Sequence, residues 1–174
     1  GNCSVTVSSD VPVAISSSGT PTVTSDLVFG TTGTITGVSV ANLDIPHTWI
    51  NDLDITLTSP DGTTITLIDR ICGGENDIDV LLNDGGVTSI NAAPCPPDQG
   101  NTYQPENALS AFIGEAASGT WTLTVTDNVN QDGGEINGWS LAICTNVVTC
   151  TDPTAPTLSF DTDPVCPGET TNLN

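Results

Sequence analysis

The sequence predicts an all-β sandwich of short antiparallel strands, and three observations carry that prediction. Apolar and polar residues alternate cleanly through 47–68 and 112–143. Clusters of Pro, Gly, Asn and Asp separate the alternating runs, as turns between strands require. Met is absent and the chain holds a single basic residue, so helix formers are scarce, while the abundant Thr and Val suit a pleated surface.

The elements follow in order. Strand patterns run over Val11–Ile15, Thr22–Phe29, Thr34–Ile45, Leu53–Thr58 and Thr63–Ile68, then Ile78–Leu82, Leu109–Ile113, Thr120–Thr126 and Trp139–Cys144. Leu53, Ile55 and Leu57 share one face, with Asp54, Thr56 and Thr58 on the other. Pro60-Asp61-Gly62 then turns the chain into Ile65 and Leu67, which makes a hairpin. The same period groups Trp121 with Leu123 and Val125, and Trp139 with Leu141 and Ile143, so both tryptophans are expected in the core. Trp49 has no partner in the alternation: it either staples the sandwich end or stands exposed as a contact residue. Periodicity alone stops at an antiparallel sandwich.

At 174 residues the chain has room for one well-cored domain and a small extra piece. Its 21 acidic residues against one basic residue, Arg70, give a net charge of −20. Nucleic acid and anionic membrane surfaces are excluded as partners, because both need Lys and Arg. Cations are the natural partners, and the carboxylates repel one another unless salt or metal intervenes. Arg70 is expected to pair with a carboxylate. No run of about 18 apolar residues occurs to span a membrane, and no charged-then-apolar leader is present. The chain opens at Gly1-Asn2-Cys3 and stops in mid-pattern, as expected of a fragment of a longer, processed polypeptide.

Six cysteines allow three disulfides. Zinc would need closely spaced pairs such as CxxC, which are lacking. Disulfides in turn place the protein outside the cytoplasm, secreted or at the cell surface. The expected pairing joins Cys3 with Cys144, which bracket the domain, Cys72 with Cys95, which flank an acidic segment, and Cys150 with Cys166 in the trailing piece.

His47 is the only histidine, so any Ser-His-Asp triad must run through it. Neither a GxSxG elbow nor an HExxH helix is present. Paired carboxylates suited to glycoside hydrolysis occur by chance in so acidic a chain. The acidic loops are better candidates for chemistry. Glu75, Asp77 and Asp84 flank the Ile78–Leu82 strand, Asp127 and Asp132 lie in the loop before the last strand, and Asp52 precedes Leu53. Asp, Asn and Gly suit the oxygen-rich shell of Ca2+ better than a transition metal. The plainer reading is turn chemistry, since the same residues populate turns.

His47-Thr48-Trp49, Asp52-Leu53, the run Leu57-Thr58-Ser59-Pro60-Asp61-Gly62-Thr63, Gly114-Glu115, Gly119-Thr120-Trp121 and Gly138-Trp139-Ser140-Leu141 together resemble the P domain (P/Homo B) of proprotein convertases and bacterial secreted proteases. The resemblance spans roughly the first 145 residues. It implies a galactose-binding-like jelly roll, an accessory module rather than an enzyme, His47-Thr48 as a structural motif, Asp52 as part of the family pattern, and calcium binding. On this reading residues 1–146 form the jelly roll and 147–174 a linker with a truncated β tail. Val165 to Leu173 resembles the start of an immunoglobulin-like repeat of bacterial surface proteins. The expected function is a non-catalytic, calcium-stabilised module that stabilises or regulates an adjacent subtilisin-like serine protease domain. Adjacent domains of the same polypeptide are then its main partners, with a protein or glycan ligand on the surface as a further one. One alternative is a module of a bacterial adhesin or filament, favoured by the repeat-like tail. Another is a carbohydrate-binding module, weakened by an aromatic content of 4%.

Overall fold

The computed structural model describes residues 1–146. The expected Cys150–Cys166 pair and the immunoglobulin-like start lie outside the described residues. Eleven strands form: β1 (Asn2–Val7), β2 (Val13–Ile15), β3 (Thr22–Phe29), β4 (Thr34–Ile45), β5 (Leu53–Thr58), β6 (Thr64–Asp69), β7 (Ile78–Leu82), β8 (Asn101–Tyr103), β9 (Gly119–Asp127), β10 (Gly134–Ile136) and β11 (Gly138–Asn146). Among the described residues there is no α-helix.

The strands build a jelly-roll sandwich. One sheet runs β1-β11-β4-β7-β8, the facing sheet runs β3-β9-β5-β6, and β10 with β2 makes a two-stranded ribbon. All pairings are antiparallel except β7 with β8. The β5–β6 hairpin joins across Ser59–Thr63, whose Ser59 N–H donates to Thr63 O at 2.8 Å.

Alternation becomes burial as period two requires. Leu53, Ile55 and Leu57 of β5 are fully buried, as are Trp121, Leu123 and Val125 of β9 and Trp139, Leu141 and Ile143 of β11. Each core tryptophan finds an acceptor, which spares the cost of an unpaired indole N–H. Trp121 Nε1 donates to Ala117 O at 3.0 Å, and Trp139 Nε1 reaches the facing sheet to donate to Ser25 Oγ at 2.7 Å. Phe112 meets Trp121 edge-on, with ring centroids 5.0 Å apart.

Two departures from expectation have identifiable causes. Leu109–Phe112 is a 3₁₀ turn, not a strand. The Asp84 carboxylate accepts Leu109 N–H at 2.7 Å and Ser110 N–H at 2.8 Å, which caps the turn and buries Leu109 and Phe112 three residues apart. The second strand begins at Val13 rather than Val11, because Pro12 has no N–H to give a ladder. Strands β1, β8 and β10 were not expected; β1 docks through Cys3, which is disulfide-bonded to Cys144 directly opposite. Cys72 and Cys95 form a second disulfide among the described residues.

Candidate functional site

One end of the sandwich gathers most of the polar residues singled out in the sequence. There β4 leads into the 46–52 loop, β5 begins, and β9 leaves into the 128–133 loop. The two loops are stitched together: Thr48 N–H donates to Gly133 O at 3.1 Å, and His47 bridges Gly134. The approach is so close that a Cβ on Gly134 would lie 2.0 Å from Pro46 O, so only glycine fits.

His47 is the centre of this end and is 2% exposed. Its backbone N–H donates to Asp77 Oδ1 at 3.0 Å. Its Nδ1 lies 3.1 Å from both the backbone N and the carbonyl O of Trp49, so it can accept from the first or donate to the second. Nε2 donates to Asp127 Oδ2 at 3.2 Å, between two side chains fully shielded from solvent. Asp127 Oδ1 accepts Val129 N–H at 3.1 Å. Both ring nitrogens are therefore committed to holding the loops. Composition did not reveal this pair, yet one signal for it existed: Asp127 falls on the inward parity of Trp121, Leu123 and Val125.

Asp52 is 5% exposed. Burial, then the charges of Asp127 and Asp132, hold its carboxyl above the usual carboxylate range, with Arg70 and His47 opposing. No hydrogen bond contributes to that shift. Asp132 accepts the Thr48 hydroxyl at 3.2 Å, and the same hydroxyl lies 3.2 Å from Gly133 O. Asp54 Oδ2 accepts Asn128 Nδ2 at 2.8 Å, while its Oδ1 is buried without a donor.

The other acidic residues are placed differently. Asp77 reaches the site through His47. Glu75 Oε2 accepts Gly73 N–H at 2.7 Å beside the Cys72–Cys95 disulfide. Asp84 is remote, capping the 109–112 turn. Arg70 is exposed and donates from Nε to Asn51 O at 3.1 Å. No salt bridge from Arg70 to a carboxylate forms among the described residues, which corrects the expectation of one. Exposure explains it, since a solvated guanidinium needs no buried partner.

The site offers oxygen donors of the kind a hard cation takes. Its spacing limits the fit. Among the described residues, the only trio of His, Cys, Asp or Glu donors within 4.8 Å of one another is Cys72, Glu75 and Cys95, and its sulfurs are already bonded together. Three carboxylates alone do not converge on one ion here, so hydroxyl and carbonyl oxygens such as Thr48 Oγ1 and Gly133 O would have to complete a shell.

Two facing sheets with motif-bearing turns at both ends define a jelly-roll β module. A model of the proprotein convertase P-domain matches residues 36–143, and the chain belongs to that family. It is 29% identical over 114 residues to leupeptin-inactivating enzyme 1 of Streptomyces exfoliatus, covering 66% of this chain and 20% of that protein. In the crystal structure of a serine protease of Aeromonas sobria, a matching region has a TM-score of 0.50 at 22% identity, covering 82% of this chain and 26% of that one. The chain thus spans only a fifth to a quarter of these relatives. No helix among the described residues is long and apolar enough to cross a membrane.

Proposed function

We propose that residues 1–146 form a non-catalytic P-domain module of a secreted bacterial protein, which stabilises or regulates an adjacent subtilisin-like serine protease domain. The observation that carries this reading is the family match over residues 36–143, in a chain that spans a small part of relatives named as an enzyme and a serine protease. The site supports a non-catalytic role, because His47 spends both ring nitrogens on Trp49 and Asp127. The disulfides Cys3–Cys144 and Cys72–Cys95 favour an oxidising compartment, hence secretion.

Two measurements test the proposal. The parent polypeptide should be produced with and without this module, following thermal inactivation and peptide hydrolysis. Loss of the module should lower the inactivation temperature of the protease; an unchanged protease, or a parent with no protease domain, overturns the reading.

Calcium is the second part of the proposal, with Asp52, Asp127 and Asp132 as acidic donors beside Thr48 and Gly133. Ca2+ would supply positive charge where these carboxylates crowd. Calcium at about a hundred times its Kd should add about 2.7 kcal/mol of stability. The Asp52→Asn variant should lose most of that gain. Identical melting temperatures in calcium and in chelator would remove the ion from the account.

A further inference from the structure

Three tryptophans divide unequally: Trp121 and Trp139 are fully buried, while Trp49 is 44% exposed. Trp49 is nevertheless firmly held. Its backbone N lies 3.1 Å from His47 Nδ1, its carbonyl accepts Asp52 N–H at 3.2 Å, and the next residue, Ile50, donates to Glu75 O at 3.0 Å. A Cβ on Gly74 would lie 2.7, 2.9 and 2.9 Å from three consecutive carbons of the indole. Distances that nearly equal place Gly74 over the ring face rather than at its edge. A glycine therefore serves as the seat for one face, and the exposure belongs to the rest of the ring.

Carboxylates flank this seat. Glu75 follows Gly74 directly, Asp77 accepts the N–H of His47, and Asp132 accepts the hydroxyl of Thr48, the residue before Trp49. Asp77 is exposed and Glu75 and Asp132 are partly so. A fixed, exposed indole among carboxylates attracts a cation twice, through the ring quadrupole and through Coulomb's law. The one basic residue of the chain, Arg70, donates from Nε to Asn51 O and forms no salt bridge with these carboxylates.

We propose that Trp49, seated on Gly74 and flanked by Glu75, Asp77 and Asp132, is a docking platform for an arginine or lysine side chain of a partner polypeptide segment. Charge complementarity favours this occupant over a sugar: the surroundings are acidic, the net charge is −20, and no second exposed aromatic ring accompanies Trp49 among the described residues. The proposal is independent of the protease reading, since it requires only a basic partner segment.

The test titrates the isotope-labelled full chain with the peptide Ac-(Gly-Arg)4-NH2, following the three indole N–H resonances. Ac-(Gly-Gln)4-NH2 and cellohexaose serve as comparisons. The arginine peptide should shift the Trp49 signal while Trp121 and Trp139 stay in place. Trp49→Ala should weaken binding about fivefold without changing net charge. Trp49→Leu, which keeps an apolar contact for Gly74, should weaken it equally, so a folding defect in the alanine variant leaves the question open to measurement. Binding unchanged in both variants would mean diffuse attraction to an acidic surface and overturn the platform. So would a Trp49 shift produced by cellohexaose but not by the arginine peptide, or no shift with any probe.

Discussion

The two ends of the sandwich are both rich in motif residues, and they handle carboxylates in opposite ways. At the end made by Ser59–Thr63 and Gly114–Ala117, acidic groups close turns. Asp61 Oδ2 accepts Ala116 N–H at 3.2 Å, Ser59 Oγ accepts Thr63 N–H at 3.2 Å, and Glu115 Oε1 takes the Thr63 hydroxyl. Only Glu115 Oε2 is buried there without a donor. At the His47 end, by contrast, Asp127 is buried against a histidine, Asp52 is buried among like charges, and Asp54 and Asp69 face each other across a strand pair. Carboxylates near free N–H groups are structural ties that need nothing further. At the His47 end the carboxylates crowd one another instead, with Asp127 and Asp132 raising the Asp52 carboxyl and Asp54 raising that of Asp69.

The largest expected contrast lies in the disulfides, one toward each end. Cys3–Cys144 has a sequence separation of 141 and Cys72–Cys95 one of 23. Chain entropy then predicts a cost of about 5 kcal/mol for opening the first and about 3.5 kcal/mol for the second. Equilibrium unfolding of the Cys3→Ser/Cys144→Ser and Cys72→Ser/Cys95→Ser double variants measures both. The reverse order would mean that the acidic end depends on its short clamp more than on chain closure.

Smaller effects separate the acidic residues themselves. Asp127→Ala strips the partner from a buried imidazole and should cost about 3 kcal/mol. Asp61→Ala removes one hydrogen bond at an exposed turn and should cost about 1 kcal/mol. Asp127→Asn keeps an acceptor for His47 Nε2–H, so it should fall near 1 kcal/mol. A loss as great as with alanine would show that His47 is an imidazolium and that the pair is held by charge.

How much of this was legible in sequence follows from what each residue depends on. Strands β3, β4, β5 and β7 begin and end where alternation placed them, because burial on one face is a local, period-two property. Strand β1 was missed since its Val5 and Val7 are exposed and its half-buried positions are Ser4 and Thr6, which inverts the usual pattern. The 109–112 segment was misread because its geometry is set by Asp84, some 25 residues away in sequence. At the site, Asp127 and Asp132 were singled out by loop composition and Asp52 by its place before a core strand and in the family motif, and the three share one end. Composition could not tell them from Asp84, whose partners depend on tertiary placement. The His47–Asp127 pair spans 80 residues, and parity was its only local trace.

The smallest effect is the sharpest test of the carboxylate surplus. Asp69 pairs in register with Asp54. A hydrogen bond to Asp54, available only while Asp69 is protonated, is the main cause that raises the Asp69 carboxyl above its ordinary value; the charge of Asp54, burial and Glu106 add to it, and Arg70 opposes. A carboxyl whose pKa is raised by folding stabilises the fold fully below its unfolded value, about 3.9. That stabilisation is lost as pH rises through the higher folded value. At pH 7 the two carboxylates therefore repel, and the Asp54 Oδ1 atom has no donor. Asp69→Asn replaces the repulsion with an amide donor that does not titrate. The variant should melt slightly higher than the parent at pH 7, with the difference shrinking toward pH 4 and in high salt. The parallel change Asp61→Asn at the other end should lower the melting temperature, because a tie is weakened there and no repulsion is relieved. If Asp69→Asn instead lowers the melting temperature at pH 7, the acidic end is already balanced in the free chain, and the distinction between the two ends fails.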